Sequence, residues 1–198
     1  NNLYSTPWVS GTRSNTQALV DWTGNNTITA NSLTYNSDGT FSFNGTSDYI
    51  TSGLTCDKNY YSINWWLYPT TRTNFNQNLA INNGWDNWNF HTTANGEIYV
   101  GTNVATRMTP TNLPANTLVV NQWQNFCYTF NNGIGSFYKN GVLLAAKSAM
   151  AISANTFSSI GASIGTTGSL ATLSTYSRVL SAAEVTQNFN ALRGRYGI

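Results

Sequence analysis

The strongest pattern in the chain is the run at 60–68 (Tyr-Tyr-Ser-Ile-Asn-Trp-Trp-Leu-Tyr), which is nearly all aromatic or β-branched and stops at Pro69. Such residues fit a pleated, half-buried surface, and proline cannot donate to a sheet ladder, so the run predicts a strand ending there. Side chains alternate across a strand, which puts Ile63, Trp65 and Leu67 on one face. Tyr61, Trp66 and Tyr68 do not all fall opposite them, so both faces are partly apolar. That places the strand at the centre of a sandwich. Shorter runs predict strands at 18–22, 26–30, 40–43, 49–51, 78–81, 88–92, 97–100, 123–130, 135–139, 142–146, 157–164 and 169–176.

Turn dipeptides punctuate these runs. Asp38-Gly39 and Asn44-Gly45 flank the strand at 40–43, and Ala94-Asn95-Gly96 separates two others. Asn140-Gly141 suits a type I′ hairpin turn, whose two central residues need positive φ. The pattern changes only near the C-terminus. Ser181 and Glu184 have the spacing of a capping box, and Val185, Phe189 and Leu192 follow as one apolar stripe. Gly194 and Gly197 are expected to end that helix. About a dozen short strands at regular spacing predict an all-β antiparallel sandwich. The single short C-terminal α-helix should lay its stripe on a sheet. No linker or internal repeat interrupts residues 1–198, which read as one domain.

Composition narrows the partners. Only 8% of the 198 residues are charged and 14% are aromatic. Neutral hydrogen-bonding side chains therefore carry the surface, as suits an extracellular or virion-surface protein, although a lineage-wide taste for Asn and Thr would give the same composition. A net charge of +2 without clustered Lys and Arg excludes a nucleic-acid footprint. The nearest cluster, Arg193 and Arg195, is expected to serve the helix C-terminal dipole. No apolar run approaches the length that spans a membrane. Cys127 lies in a strand pattern and reads as a buried free thiol, with a Cys56–Cys127 bridge as the alternative in an oxidising compartment.

Four segments carry a family likeness. Phe41-Ser-Phe-Asn-Gly-Thr-Ser-Asp-Tyr-Ile50 resembles the "F-dG-x-x-D-Y-I" segment of concanavalin A-like, laminin-G-like jelly rolls. Trp123–Phe130 followed by Phe137-Tyr-Lys-Asn-Gly141 is similar to their "W … l-Y-v-N-G" hairpin. Leu173–Arg178 with Leu180-Ser-Ala-Ala-Glu184 and Asn188-Phe-Asn-Ala191 resembles the family ending, and Asp21-Trp-Thr-Gly-Asn-Asn26 an early segment. The final Arg193-Gly-Arg-Tyr-Gly-Ile198 resembles the variant found in bacteriophage virion proteins. The resemblance implies a jelly-roll sandwich in a phage decoration, tail or fibre protein. It departs at one place, since the family's opening strand is lacking. That suggests a fragment or processed part of a longer chain, or an edge covered by another subunit; a homo-oligomer is one way to cover it.

The candidate chemistry is non-catalytic glycan binding, with a purely structural docking role in the virion as the alternative and a polysaccharide-cleaving enzyme as the less favoured third. The carboxylates do not form the Glu-x-Asp-x-(x)-Glu strand of the superfamily's glucanases, and Glu184 belongs to the cap. His91 is the one histidine and has no recognisable triad partners. Asn82-Asn-Gly-Trp-Asp-Asn-Trp-Asn89 is a polar segment bearing two tryptophans. Tryptophan faces suit the C–H face of a sugar, and amides and carboxylates suit its hydroxyls. Trp85, Trp88, Asn83, Asp86 and Asn87 are therefore the candidate glycan site, with burial of the tryptophans in the core as the alternative. Asp48 is the candidate calcium ligand, implied by many laminin-G-like domains, or else a turn-stabilising carboxylate. Trp65, Trp66 and Trp123 read as core. The expected partners are glycans or other virion subunits.

Overall fold

The computed structural model describes residues 27–55, 59–72, 76–80, 89–101, 105–151, 156–160 and 167–198. Within them run β1 (Ile28–Asn31), β2 (Thr34–Tyr35), β3 (Phe41–Asn44), β4 (Tyr49–Thr55), β5 (Tyr60–Pro69), β6 (Asn76–Ala80) and β7 (Asn89–Thr92). Then come β8 (Ile98–Gly101), β9 (Gln124–Asn131), β10 (Ile134–Lys139), β11 (Val142–Lys147), β12 (Thr156–Ile160) and β13 (Thr167–Tyr176). One helix, α1 (Ala182–Arg193), closes the order, followed by a 3-10 turn at Gly194–Tyr196. Most of the expected strands are present within a residue or two. The expected strand at 18–22 lies outside the described residues. No helix among the described residues is long and apolar enough to cross a membrane.

Seven strands form one sheet in the order β11-β10-β9-β5-β13-β3-β2, with antiparallel pairing throughout. The facing layer consists of two three-stranded sheets, β1-β4-β12 and β6-β7-β8, with β12 lying against β6. The core fills the gap between the layers. Trp65 meets Phe90 of β7 edge-on at 4.9 Å and Phe126 of β9 at 5.6 Å, and Phe90 stacks on Phe137 at 5.6 Å. Tyr61, Ile63 and Leu67 of β5 belong to the same cluster.

Trp66 faces the other way. It is fully buried against Phe189 of α1, with ring centroids 5.7 Å apart and planes 13° from parallel. The double apolar character of β5 is thereby explained: one face meets the opposite layer and the other meets the helix. Two polar residues on the helix side, Ser62 and Asn125, make hydrogen bonds there, whereas Trp66 Nε1, Asn125 Oδ1 and the Tyr196 hydroxyl are buried without one. The Ser62 hydroxyl donates to the Arg178 carbonyl and accepts from the Leu180 N–H, both at 2.9 Å, which ties β5 to the approach to α1. Asn125 Nδ2 donates to Asn64 Oδ1 and to the Trp65 carbonyl, each at 3.1 Å.

The capping box is formed as its spacing predicts. Ser181 Oγ accepts from the Glu184 N–H, and the Glu184 carboxylate accepts from the Ser181 N–H at 2.8 Å. Arg178 adds an ion pair at 2.6 Å. Its hydrogen bond, followed by those from Ser181, holds the Glu184 carboxyl down at about 2. Val185 and Phe189 are buried and Leu192 is half-buried, so the stripe meets the sheet. Gly194 keeps helical geometry at φ −63°, and Gly197, at φ 72°, is the residue that leaves it.

Asn140 and Gly141 both take positive φ, 50° and 78°, as a type I′ turn requires. Asn132-Gly133 does the same between β9 and β10. Asn44-Gly45 is built differently. The Asn44 side-chain oxygen accepts from the N–H groups of Thr46, Ser47 and Asp48, so a side chain rather than a backbone hairpin shapes that turn.

Candidate functional site

At the β2–β3 turn the Asn36 N–H donates to the Thr40 carbonyl at 2.8 Å, and the Gly39 N–H donates to the Asn36 carbonyl at 2.9 Å. Asp38 Oδ1 accepts from both the Thr40 N–H, at 3.0 Å, and the Thr40 hydroxyl, at 2.7 Å. A short polar turn is thus fixed by its own side chains. The 3-10 turn after α1 comes down beside it. Arg195 Nη2 donates to the Asp38 carbonyl at 2.6 Å. Gly39 is favoured here by its backbone conformation, and a side chain in its place would also displace the end of Arg195. Its φ is 83°, and a Cβ at this position would stand 2.6 Å from Arg195 Nη2.

Aromatic rings form the other wall. Trp123, just before β9, lies 4.6 Å from Tyr196 and 5.5 Å from Tyr68. Tyr196 lies 4.5 Å from the buried Trp66. Four rings therefore run in contact from the helix–sheet interface to the surface. Ser37, Asp38, Thr40, Trp123, Arg195 and Tyr196 line a cleft of about 590 Å³, a volume in the range of small-ligand sites. Burial pushes the Tyr196 phenol up, against the pull of Arg195. The Arg195 guanidinium stands 5.5 Å from the Tyr196 ring centre. Asp38 is the one carboxylate among the lining residues. Flat apolar faces beside a few hydrogen-bonding groups suit a sugar ring and its hydroxyls.

This cleft was not the site expected from the sequence. Asn83, Trp85, Asp86, Asn87 and Trp88 lie outside the described residues, as do Cys56 and Trp8. Trp123, expected in the core, is only half-buried, because the chain enters β9 at the end of the sheet where the terminal turn passes. Arg195, expected to serve the helix dipole, instead reaches across to the β2–β3 turn. The Asp48 carboxylate accepts from the Asn44 N–H at 2.9 Å and the Ser47 hydroxyl at 3.3 Å within its own turn. Among the described residues no group of three or more His, Cys, Asp or Glu side chains comes together.

His91 and Cys127 are both buried. His91 is 3% exposed and stacks on Tyr99 at 4.7 Å, while Arg107 lies 4.5 Å over the far ring. Burial first, and Arg107 second, push the imidazole down to about 4. Cys127 is a free thiol under α1, and burial pushes it well above the ordinary range.

The family model of the concanavalin A-like lectin/glucanases superfamily matches residues 43–186. The matched stretch contains Trp123 but not Asp38, Arg195 or Tyr196. No curated protein matches the chain in sequence. Solved structures match in shape. One is domain 4 of AbnA, a GH43 extracellular arabinanase from Geobacillus stearothermophilus, in complex with arabinotriose. It is 19% identical with a TM-score of 0.65, over 84% of this chain and 90% of that one. The ligand binding domain of botulinum neurotoxin serotype D, in complex with N-acetylneuraminic acid, is 16% identical with a TM-score of 0.69, over 88% of this chain and 48% of that one. The binding domain of botulinum neurotoxin DC, in complex with rat synaptotagmin II, is 14% identical with a TM-score of 0.65, over 96% and 51%. The chain thus spans about half the length of the neurotoxin domains. Identities this low speak for the fold, which is the expected jelly-roll sandwich with one C-terminal helix.

Proposed function

We propose that this chain, which belongs to the concanavalin A-like lectin/glucanases superfamily, is a non-catalytic glycan-binding module on the surface of a bacteriophage virion, in a decoration, tail or fibre protein. The observation that carries the glycan reading is the cleft of Trp123 and Tyr196 beside Asp38, Arg195, Ser37 and Thr40. The complexes of the arabinanase domain with arabinotriose and of the neurotoxin domain with N-acetylneuraminic acid support it. The C-terminal sequence and the low charge support the virion setting. Among the described residues that line the cleft Asp38 is the one carboxylate, whereas hydrolysis needs two flanking the scissile bond.

The test is a glycan array probed with the whole chain, with Trp123→Ala, and with Trp85→Ala/Trp88→Ala. The expected result is glycan binding that falls about tenfold or more in Trp123→Ala, with a melting temperature close to the parent. Loss confined to the double variant would move the site to the 83–88 segment. A folded chain that ignores every glycan would overturn the reading.

A second reading, subunit docking in a virion, is favoured by β11. This strand is an edge of the seven-stranded sheet, and Val142, Leu143 and Leu144 on it are 64%, 49% and 45% exposed. Apolar edges invite pairing with another chain. Sedimentation should then show a discrete oligomer that Leu144→Lys disperses; a strict monomer that does not attach to virions counts against docking.

A further inference from the structure

The cleft holds a cation, Arg195, that the fold orients through a backbone carbonyl and that has no ion pair among the described residues, although the Asp38 carboxylate lines the same cleft. Arg195 is exposed, and its Nη2 is anchored to a backbone carbonyl rather than to a carboxylate. Among the described residues the ion pair is Arg178–Glu184, at another place on the surface. The nearby Asp38 carboxylate turns back into its own loop, where Oδ1 takes two hydrogen bonds from Thr40. A guanidinium carries five N–H donors in a planar fork. One bond to Asp38 orients that fork and leaves donors for a ligand. The Tyr196 and Trp123 rings stand beside it.

We propose that the cleft selects sugars bearing a carboxylate, with Arg195 as the group that recognises the charge; this rests on the glycan reading above. The two aromatic walls take the pyranose face. The fork takes the carboxylate, a charge-assisted pairing roughly twice as strong as the neutral hydrogen bonds a plain hydroxyl offers. Because Arg195 is already held in place, little side-chain freedom is lost on binding. A single guanidinium matches a single carboxylate, whereas a polyanion such as nucleic acid calls for clustered cations. Asp38, Arg195 and Tyr196 fall outside the 43–186 stretch that the family model matches.

The experiment is titration of the whole chain with 3′-sialyllactose and with trigalacturonate, each beside its neutral counterpart, lactose and galactotriose. At low salt the expected result is at least about tenfold tighter binding of one acidic probe over its neutral partner. That preference should shrink as salt rises. Arg195→Gln should erase the preference, bringing the acidic probe down to the affinity of its neutral partner, and Arg195→Lys should retain part of it. Trp123→Ala should weaken acidic and neutral probes alike. The two acidic probes distinguish a sialic acid from a uronic acid as the source of the carboxylate. Equal affinity for acidic and neutral sugars, or a preference that survives in a folded Arg195→Gln, overturns the charge selection alone. Failure of all four probes overturns it together with the glycan reading.

Discussion

Replacing Trp66 with alanine is expected to cost about 3–5 kcal/mol of folding free energy, the usual range for deleting a fully buried large aromatic. The effect goes beyond lost area. Trp66 is 0% exposed and sits between β5 and the helix, stacked on Phe189 and packed on Tyr196. Phe189 is one of the two residues that α1 buries, so an alanine at 66 leaves the helix half-anchored. Tyr196 would also lose the ring behind it, and with it the placement of Arg195. Urea unfolding should therefore show a lower midpoint, and glycan binding should weaken in the same variant even under conditions where it remains folded. Trp123→Ala, at a half-buried position, should cost less stability and more binding. A Trp66→Ala variant with parental stability would mean that the helix does not depend on this contact.

The second large effect is set by pH. His91 titrates near 6.5 in an unfolded chain and at about 4 in the fold. A base with a depressed folded pKa favours the folded state while neutral. As pH falls below about 6.5 the unfolded chain takes up a proton that the folded chain refuses, and stability declines. The decline ends near pH 4, where the folded imidazole is protonated too. Over that window the loss is on the order of 2–4 kcal/mol. The groups responsible are the burial of the ring against Tyr99 and the neighbouring Arg107 cation. His91→Gln cannot titrate, so between pH 6.5 and about 5, above the carboxylate range, its stability should stay nearly level where the parent's falls. Parallel curves for the two proteins would refute this assignment.

Much of the fold could be read from local sequence, for physical reasons. Strand alternation acts over two residues and a capping box over three, so β5, β9, β13 and α1 announce themselves. The Asn140-Gly141 turn follows from steric limits on φ within the dipeptide. Even the two-faced character of β5 was legible, although the sequence could not say that one of its faces meets a helix. The cleft was not legible. Its parts come from residues 37–40, 123 and 195–196, and no periodicity links a turn after β2 to a turn after α1. Arg195 read locally as a helix-end cation, because its partner, the Asp38 carbonyl, is a backbone atom that carries no sequence signal. Trp123 read as core because tryptophan is usually buried; its position at the end of the sheet decided otherwise. The 83–88 segment stands out by composition alone and lies outside the described residues.

The position of β13 has a consequence for how the protein comes into being. β13 lies between β5 and β3 in the seven-stranded sheet, although it is the last strand in the sequence. A ribosome making this chain completes β3 at Asn44 and β5 at Pro69, long before the strand that joins them begins at Thr167. Until then β3 and β5 each present an open edge, rich in aromatic residues and with no partner on that side. Closing so distant a pairing is slow compared with making a helix or a hairpin. Assembly should therefore be nearly all-or-none with respect to synthesis, and chains stopped before residue 167 should be the ones that chaperones hold or that aggregate.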